Sequence, residues 1–300
     1  MTPARRKPHH DLRTSLLLDR WADLSRTLEA LDRSVTAEHI HNARVAARRL
    51  RSVLRTLQAD CQPLRYAELR FDLKFIGHRL GHARTSDMHA VVIDRLLASL
   101  HKPHARDERS LRTLLARMTD TEHKSIARHL DSTAWTARVA RITAHANIDE
   151  LLLPAKASEQ EELCVLLLAT IDKATKVLGK ERRSTLKLHK QRIAVKNARY
   201  VFEALLPAWR AKNPAQFDAE RLLTALRDFQ DLLGTARDFD ATAHWLVAAA
   251  IQTPLRESLL EAAREHGTLN RKLYNRLRQR CIKQLAQVRG ALSGDEHHHG

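Results

Sequence analysis

Aromatic residues make up only 4% of the 300-residue chain, and glycine and proline number eight each. So few breakers and so few β-favouring side chains leave little material for hairpins or a sheet. No segment alternates polar and apolar residues for long, so the period-two signature of a half-buried strand is missing. Cysteine is scarce as well. Cys61, Cys164 and Cys281 are odd in number, widely spaced and without a Cys-x-x-Cys pair. That speaks against a disulfide framework or zinc finger and fits a reducing compartment. The longest uncharged stretches, near 163–171 and 244–255, are too short to span a bilayer. No apolar run follows the first ten residues, so no signal peptide is expected. A cytoplasmic protein without membrane attachment is the expectation.

Catalytic signatures are missing too. The chain has no P-loop, no Gly-x-Gly-x-x-Gly and no His-Glu-x-x-His. A di-iron bundle needs inward Glu and Glu-x-x-His pairs from several helices. Glu296 to His299 falls in a His-rich end left out of the reading, and the lone Glu38 to His41 spacing sits among arginines, which repel a metal. His39 and His41 stand at i,i+2, which points them apart on a helix. No enzyme, cofactor or metal site is expected.

The last shortage is negative charge. Asp and Glu total 35 against 52 Lys and Arg, a net charge of +17 before any of the 18 histidines, with a pI near 10.4. Such a balance concerns partners rather than fold, and it calls for a polyanion.

What the chain does have is a 3.6-residue apolar rhythm and 43% hydrophobic residues, enough for a sizeable core. The fold class is therefore all-α. Helices are predicted at 11–31, 36–60, 63–80, 86–100, 104–146, 156–178, 183–207, 214–232, 238–251 and 254–290. Pro63, Pro103, Pro154, Pro207, Pro214 and Pro254 fall at or near the breaks.

Two motifs recur. His41-Asn-Ala-Arg44-Val-Ala-Ala-Arg48-Arg-Leu-Arg51 matches His189-Lys-Gln-Arg192-Ile-Ala-Val-Lys196-Asn-Ala-Arg199, 148 residues later. Leu80-Gly-His-Ala-Arg84-Thr-Ser-Asp87 matches Leu233-Gly-Thr-Ala-Arg237-Asp-Phe-Asp240, at an offset of 153. Both Leu-Gly pairs read as helix C-caps. Same-order motifs at nearly one offset indicate duplication. The division falls near 147–157, with about five helices in each half, enough for a four-helix bundle and a connector.

On a helix, His41, Arg44, Arg48, Arg51 and Arg55 fall within an arc of about 80°, forming a stripe about 21 Å long. Leu50, Val53, Leu54 and Leu57 take another side. His189, Arg192, Lys196 and Arg199 repeat the arc, and Glu203 stands where Arg55 stood, within i,i+4 reach of Arg199. Like charges at i,i+3 and i,i+4 repel by a few tenths of a kcal/mol per pair. A solvated face normally mixes signs, so a stripe without one carboxylate implies an external anion. Lys74 and Arg227 precede the two Leu-Gly pairs by six residues. Arg84 and Arg237 follow them, near the expected start of the next helix, where free N–H groups favour an anion. Asp87 and Asp240 read equally as N-caps or as orienters of those arginines. Arg138, Arg141 and His145, and likewise Arg271, Tyr274 and Arg278, share faces that read as solvated or packed.

These residues resemble the CHAD family, the conserved histidine α-helical domain. Its repeated His-x-x-Arg-x-x-x-[Arg/Lys]-[Arg/Lys]-Leu-Arg helix and Leu-Gly-x-x-Arg-Asp-x-Asp motif are matched in order, over about residues 11–290. The resemblance implies one domain over 11–290, made of helical-bundle repeats at 11–150 and 151–290, with flexible tails at 1–10 and 291–300. It implies two tandem four-helix bundles related by a pseudo-twofold axis around a central basic groove. It further implies binding of inorganic polyphosphate and, in some members, residence on polyphosphate granules. Carried over, the binding residues are His41, Arg44, Arg48, Arg51, Lys74 and Arg84, with His189, Arg192, Lys196, Arg199, Arg227 and Arg237. Arg55 joins them by geometry. Asn197 stands where a cation is usual and Thr85 replaces an Asp, so the first half is expected to bind more strongly.

Polyphosphate carries about one charge per phosphate and has no bases to stack, which suits a chain poor in aromatics better than single-stranded nucleic acid does. Arginine offers a forked, permanently charged donor for phosphate oxygens. Binding is expected to weaken with salt, and protonated His41 and His189 to add charge as pH falls toward 6. The charge also permits weak nucleic-acid binding or a granule-scaffold role. Protein partners are not legible.

Overall fold

The computed structural model describes residues 12–100, 105–144, 150–154, 158–180, 185–212, 217–249 and 254–293. They form ten α-helices and no strand. These are α1 Leu12–Arg33, α2 Ala37–Thr56, α3 Pro63–Ser99, α4 Ala105–Leu130, α5 Thr133–Ala144, α6 Glu159–Leu178, α7 Thr185–Lys212, α8 Ala219–Ala248, α9 Pro254–Gly267 and α10 Arg271–Ser293. Local signals set several starts. The Thr36 hydroxyl accepts from His39 N–H at α2, and Asp218 accepts from Arg221 N–H at α8. Ser158 and Glu161 close a reciprocal capping box at α6, and Pro63 occupies the first turn of α3, where its missing N–H costs nothing.

The Leu-Gly pairs are not caps. The helices expected at 63–80 and 86–100 are one 37-residue helix, and those expected at 214–232 and 238–251 join in the 30-residue α8. An interior glycine costs about 1 kcal/mol against alanine, which the packing of so long a helix outweighs. Arg84 and Arg237 therefore lie in mid-helix, with no free backbone N–H groups beside them, and Asp87 and Asp240 cap nothing. Pro207 likewise lies inside α7 rather than at its end, anchored there by buried Leu205, Leu206 and Trp209. Conversely, the helix expected at 104–146 breaks before Thr133, where the Ser132 hydroxyl accepts from Trp135 N–H. That expected at 254–290 breaks before Arg271, where Asn270 caps Leu273 N–H at 3.0 Å.

Helices α1, α2 and α3 pack in succession with α5 against α3, and α6, α7 and α8 pack in succession with α10 across α6 and α8. Helices α2 and α7 meet between the halves, as do α3 and α8. One hydrophobic core runs through both halves, from Leu17, Leu24 and Leu54 to Leu167, Phe202 and Phe229. A second, smaller core joins the far ends of α3 and α8 to α4 and α9 through Ile93, Leu111, Leu246 and Leu259. The repeats thus share their cores. Contacts between the halves exchange partners. Ser52 matches Tyr200 and Arg49 matches Asn197 at the 148 offset. Ser52 Oγ lies 3.5 Å from Asn197 Oδ1, while the Arg49 guanidinium sits 5.8 Å above the Tyr200 ring. His89 Nδ1 meets Thr242 Oγ1 at 2.9 Å, and these two residues are equivalents at the 153 offset. Paired i-to-j contacts of this kind are what an approximate twofold relation produces.

Candidate functional site

Helix α2 buries Ile40, Ala43, Ala47, Leu50 and Leu54, which turns His41, Arg44, Arg48, Arg51 and Arg55 away from the core. Across from them run α3 and α7. The three helices enclose a groove of about 380 Å³, lined by Arg44, Arg48, Arg51, Arg55, Lys74 and Lys196. His78, Ser52 and Asn197 complete its polar wall, and no carboxylate among the described residues lines it. Gly77 forms part of the wall as well. A Cβ there would stand 3.7 Å from Arg51 Nη1, in ordinary contact, so only a larger side chain would crowd the guanidinium.

Burial, and then mutual repulsion, disfavours the charged forms of the cations in this groove. Burial, then Arg48, Arg192, Arg44 and Arg51, lowers the Lys196 ammonium to about 7. Burial, then Arg48, Arg84 and Arg192, lowers Arg44 to about 10. The two stripes predicted from separate helices therefore face each other, with Lys196 set among the arginines of both. The Nε groups of Arg51 and Arg192, like those of Arg49 and Arg199, are buried without an acceptor among the described residues. A buried donor left unpaired costs about 1–3 kcal/mol, so the site is short of anionic oxygens.

The leading histidines depart from expectation. Burial and then Arg84, Arg44 and Arg48 push His41 below the usual imidazole range. Burial, Arg237, Arg192 and Lys196 do the same to His189. Without an anion, both charge only below the ordinary value of 6.5. Arg237 Nη1 donates to His189 Nδ1, which requires that nitrogen to be unprotonated. These two line a second cleft, of about 530 Å³, with Arg192, Asp240 and Leu269. Beside it Asp238 lies near Arg192, Arg84, Arg237 and Arg95, its carboxyl nonetheless raised by burial. Arg192 lies against Gly234, where a Cβ would stand in ordinary contact 3.6 Å from its Nε.

Residues 15–247 match the family described as the CHAD domain. The chain belongs to the CHAD-domain family. Two solved structures share its fold. PptA from Streptomyces chartreusis aligns with a TM-score of 0.68 at 18% identity, over 92% of this chain and 98% of its own. The CHAD domain from the plant Ricinus communis aligns at 0.64 and 22% identity, over 94% and 90%. At such identities the likeness is one of fold. No curated protein gives a significant match.

Of the thirteen candidate residues, the CHAD fold gathers His41, Arg44, Arg48, Arg51, Arg55, Lys74, Arg84, His189, Arg192, Lys196 and Arg237 along the α2–α7 junction. Arg199 points elsewhere, with Nη1 3.4 Å from Glu203. Arg227 is exposed on α8 and lines neither cavity. Sequence reading missed His78 and Asp238. His78 follows Lys74 by one helical turn, a spacing that carries its signal, and Asp238 is the first Asp of the second Leu-Gly motif. Asp87 is buried with Oδ1 3.0 Å from His123 Nε2, and Asp240 lies 3.6 Å from His244. On the two shared faces, Arg138, Arg141, Tyr274 and Arg278 make structural contacts. Arg141 grips Asp72 with two bonds of 2.9 and 2.7 Å, while Arg138 stacks 4.1 Å over Phe75. Arg278 donates to Leu178 O at 2.7 Å, and Tyr274 donates to Gln191. His145 lies outside the described residues. The thiols of Cys61 and Cys281 are buried and raised to about 11 and about 12, well removed from thiolate chemistry. Among the described residues no helix is long and apolar enough to cross a membrane, and no cluster of His, Cys, Asp or Glu is placed to hold a metal.

Proposed function

We propose that the protein binds inorganic polyphosphate without transforming it, in the groove between α2, α3 and α7. One observation carries this reading: six cations line a cavity that no carboxylate among the described residues enters. A linear phosphate polymer supplies oxygens at every unit and needs neither base recognition nor aromatic stacking. His41, Arg44, Arg48, Arg51, Arg55, Lys74, Arg84, His189, Arg192, Lys196 and Arg237 contact it. Arginines grip oxygens bidentately, Lys74 and Lys196 act as point charges, and the two histidines gain protons once the anion offsets their cationic neighbours. The family's association with polyphosphate granules extends this to a cytoplasmic protein that coats or reaches such granules. Weak, non-specific nucleic-acid binding through the same charge is the second reading, favoured by the net charge of +17. Titrating long-chain polyphosphate, DNA and RNA at equal phosphate concentration and physiological salt separates the two. Release of phosphate during incubation would overturn the non-catalytic reading.

A further inference from the structure

The twofold relation makes one difference between the halves informative. The first-half groove has Arg51, Arg55 and Asn197 at places where the second half has Arg199, Glu203 and Arg49. Around the first set lies the open groove. Around the second set each guanidinium has a carboxylate within 4 Å, although the Nε groups of Arg49 and Arg199 stay buried without an acceptor among the described residues. Glu203 Oε1 lies 3.4 Å from Arg199 Nη1, and its Oε2 lies 3.7 Å from Arg49 Nη2. Asp23 of α1 approaches Arg49 Nη1 at 3.9 Å, and Arg20 on the same helix lies near both carboxylates. The Tyr200 ring supports the pair, with the Arg199 and Arg49 guanidiniums 5.1 and 5.8 Å from its centre. Glu203 is only 19% exposed, and Arg199 14%. This is more than a solvated i,i+4 pair, because it recruits α1 and α2 across the half boundary.

We infer that Glu203 is a built-in counter-anion that confines a polyphosphate chain by keeping it off the Arg49- and Arg199-bearing face, the second-half counterpart of the groove's Arg51 and Arg55 end. The inference rests on the polyphosphate reading and names the residue that sets its footprint. A carboxylate held between two guanidiniums offers them what a phosphate oxygen would, at no cost in association entropy, so an incoming chain gains little there. Replacing it releases two cations that nothing else in the cluster fully neutralises.

The test uses the full chain and long-chain polyphosphate, with dissociation constants measured at several salt concentrations. Glu203→Gln is compared with wild type, with Glu220→Gln as an equal charge change on an exposed site, and with Arg49→Gln alone and combined with Glu203→Gln. Tighter binding by roughly three- to tenfold is expected for Glu203→Gln, with a salt slope steeper by about one to two. Glu220→Gln should leave the affinity within about twofold. Arg49→Gln should change wild-type affinity little, yet cancel the gain in the Glu203→Gln background. Equal gains from Glu203→Gln and Glu220→Gln, or a gain that survives Arg49→Gln, overturn the inference. Glu203→Ala serves as a second variant, and unfolding of both would make Glu203 a structural anchor and refute it too. Wild-type protein that fails to bind polyphosphate brings down the function itself. Wild-type binding with an unresponsive Glu203→Gln brings down only the confinement.

Discussion

Lys196 should make polyphosphate affinity depend on pH in a range where lysine normally does not titrate. In the free protein its ammonium is lowered to about 7 from the ordinary 10.5, by burial and then by Arg48, Arg192, Arg44 and Arg51. A bound polyanion offsets those cations and holds the proton. The complex therefore takes up a proton that the free protein has partly released, and affinity falls as pH rises above 7. With a free value of about 7 and an ammonium kept protonated throughout in the complex, moving from pH 7.0 to 8.5 weakens binding about 15-fold, or about 1.6 kcal/mol. The same shift sets the sign for stability. Between about 7 and 10.5 the unfolded chain holds the lysine proton and the folded one does not, so the Lys196 contribution to stability rises with pH across that window. Isothermal titration in buffers of differing ionisation enthalpy reads the proton uptake directly. Lys196→Arg retains the histidines and the charge but stays protonated throughout, so its affinity curve isolates the lysine. Parallel curves for wild type and Lys196→Arg, with no proton uptake near pH 8, would refute the electrostatic picture of the groove.

Other outcomes follow from particular side chains. Gly81 sits in mid-helix with nothing within 4 Å of where a Cβ would stand, so Gly81→Ala should stabilise the fold by about 1 kcal/mol, read as a higher midpoint in denaturant. Gly77→Leu should occupy the space beside Arg51 and weaken polyphosphate binding at least tenfold while the helical circular dichroism stays unchanged. Undiminished binding would show that the chain does not enter between α2 and α3. Asp72→Asn should cost about 2 kcal/mol of stability, through loss of the charged bonds to Arg141 and the nearby Arg138, while affinity per folded molecule is retained.

The repeat, the all-α class and the cationic stripes were legible because they are local and periodic. Spacing alone placed His41 through Arg55 on one face, and the structure places that face toward α7. Helix boundaries failed where tertiary packing overrode local chemistry. A glycine after a periodic leucine reads as a cap, yet Gly81 and Gly234 lie inside long helices whose flanks are buried in two cores. Pro207 escaped for the same reason. Glu203 was legible as an i,i+4 partner of Arg199, but Arg49 and α1 join that cluster across the halves, and no pattern along the chain reveals it. The lowered titration of Lys196, His41 and His189 is likewise a product of burial and of cations brought in from another helix. Histidines that looked like extra charge at pH 6 have their protonation disfavoured by burial and by neighbouring cations.

The most direct measurement is a competition at physiological salt and equal phosphate concentration, with long-chain polyphosphate set against DNA and RNA. It uses wild type and a protein carrying Arg44→Glu, Arg48→Glu, Arg192→Glu and Lys196→Glu. Clear preference for polyphosphate by wild type, abolished in the folded quadruple variant, is expected. Equal affinity for the nucleic acids, or binding that survives the four reversals, would contradict the assignment of the α2–α3–α7 groove.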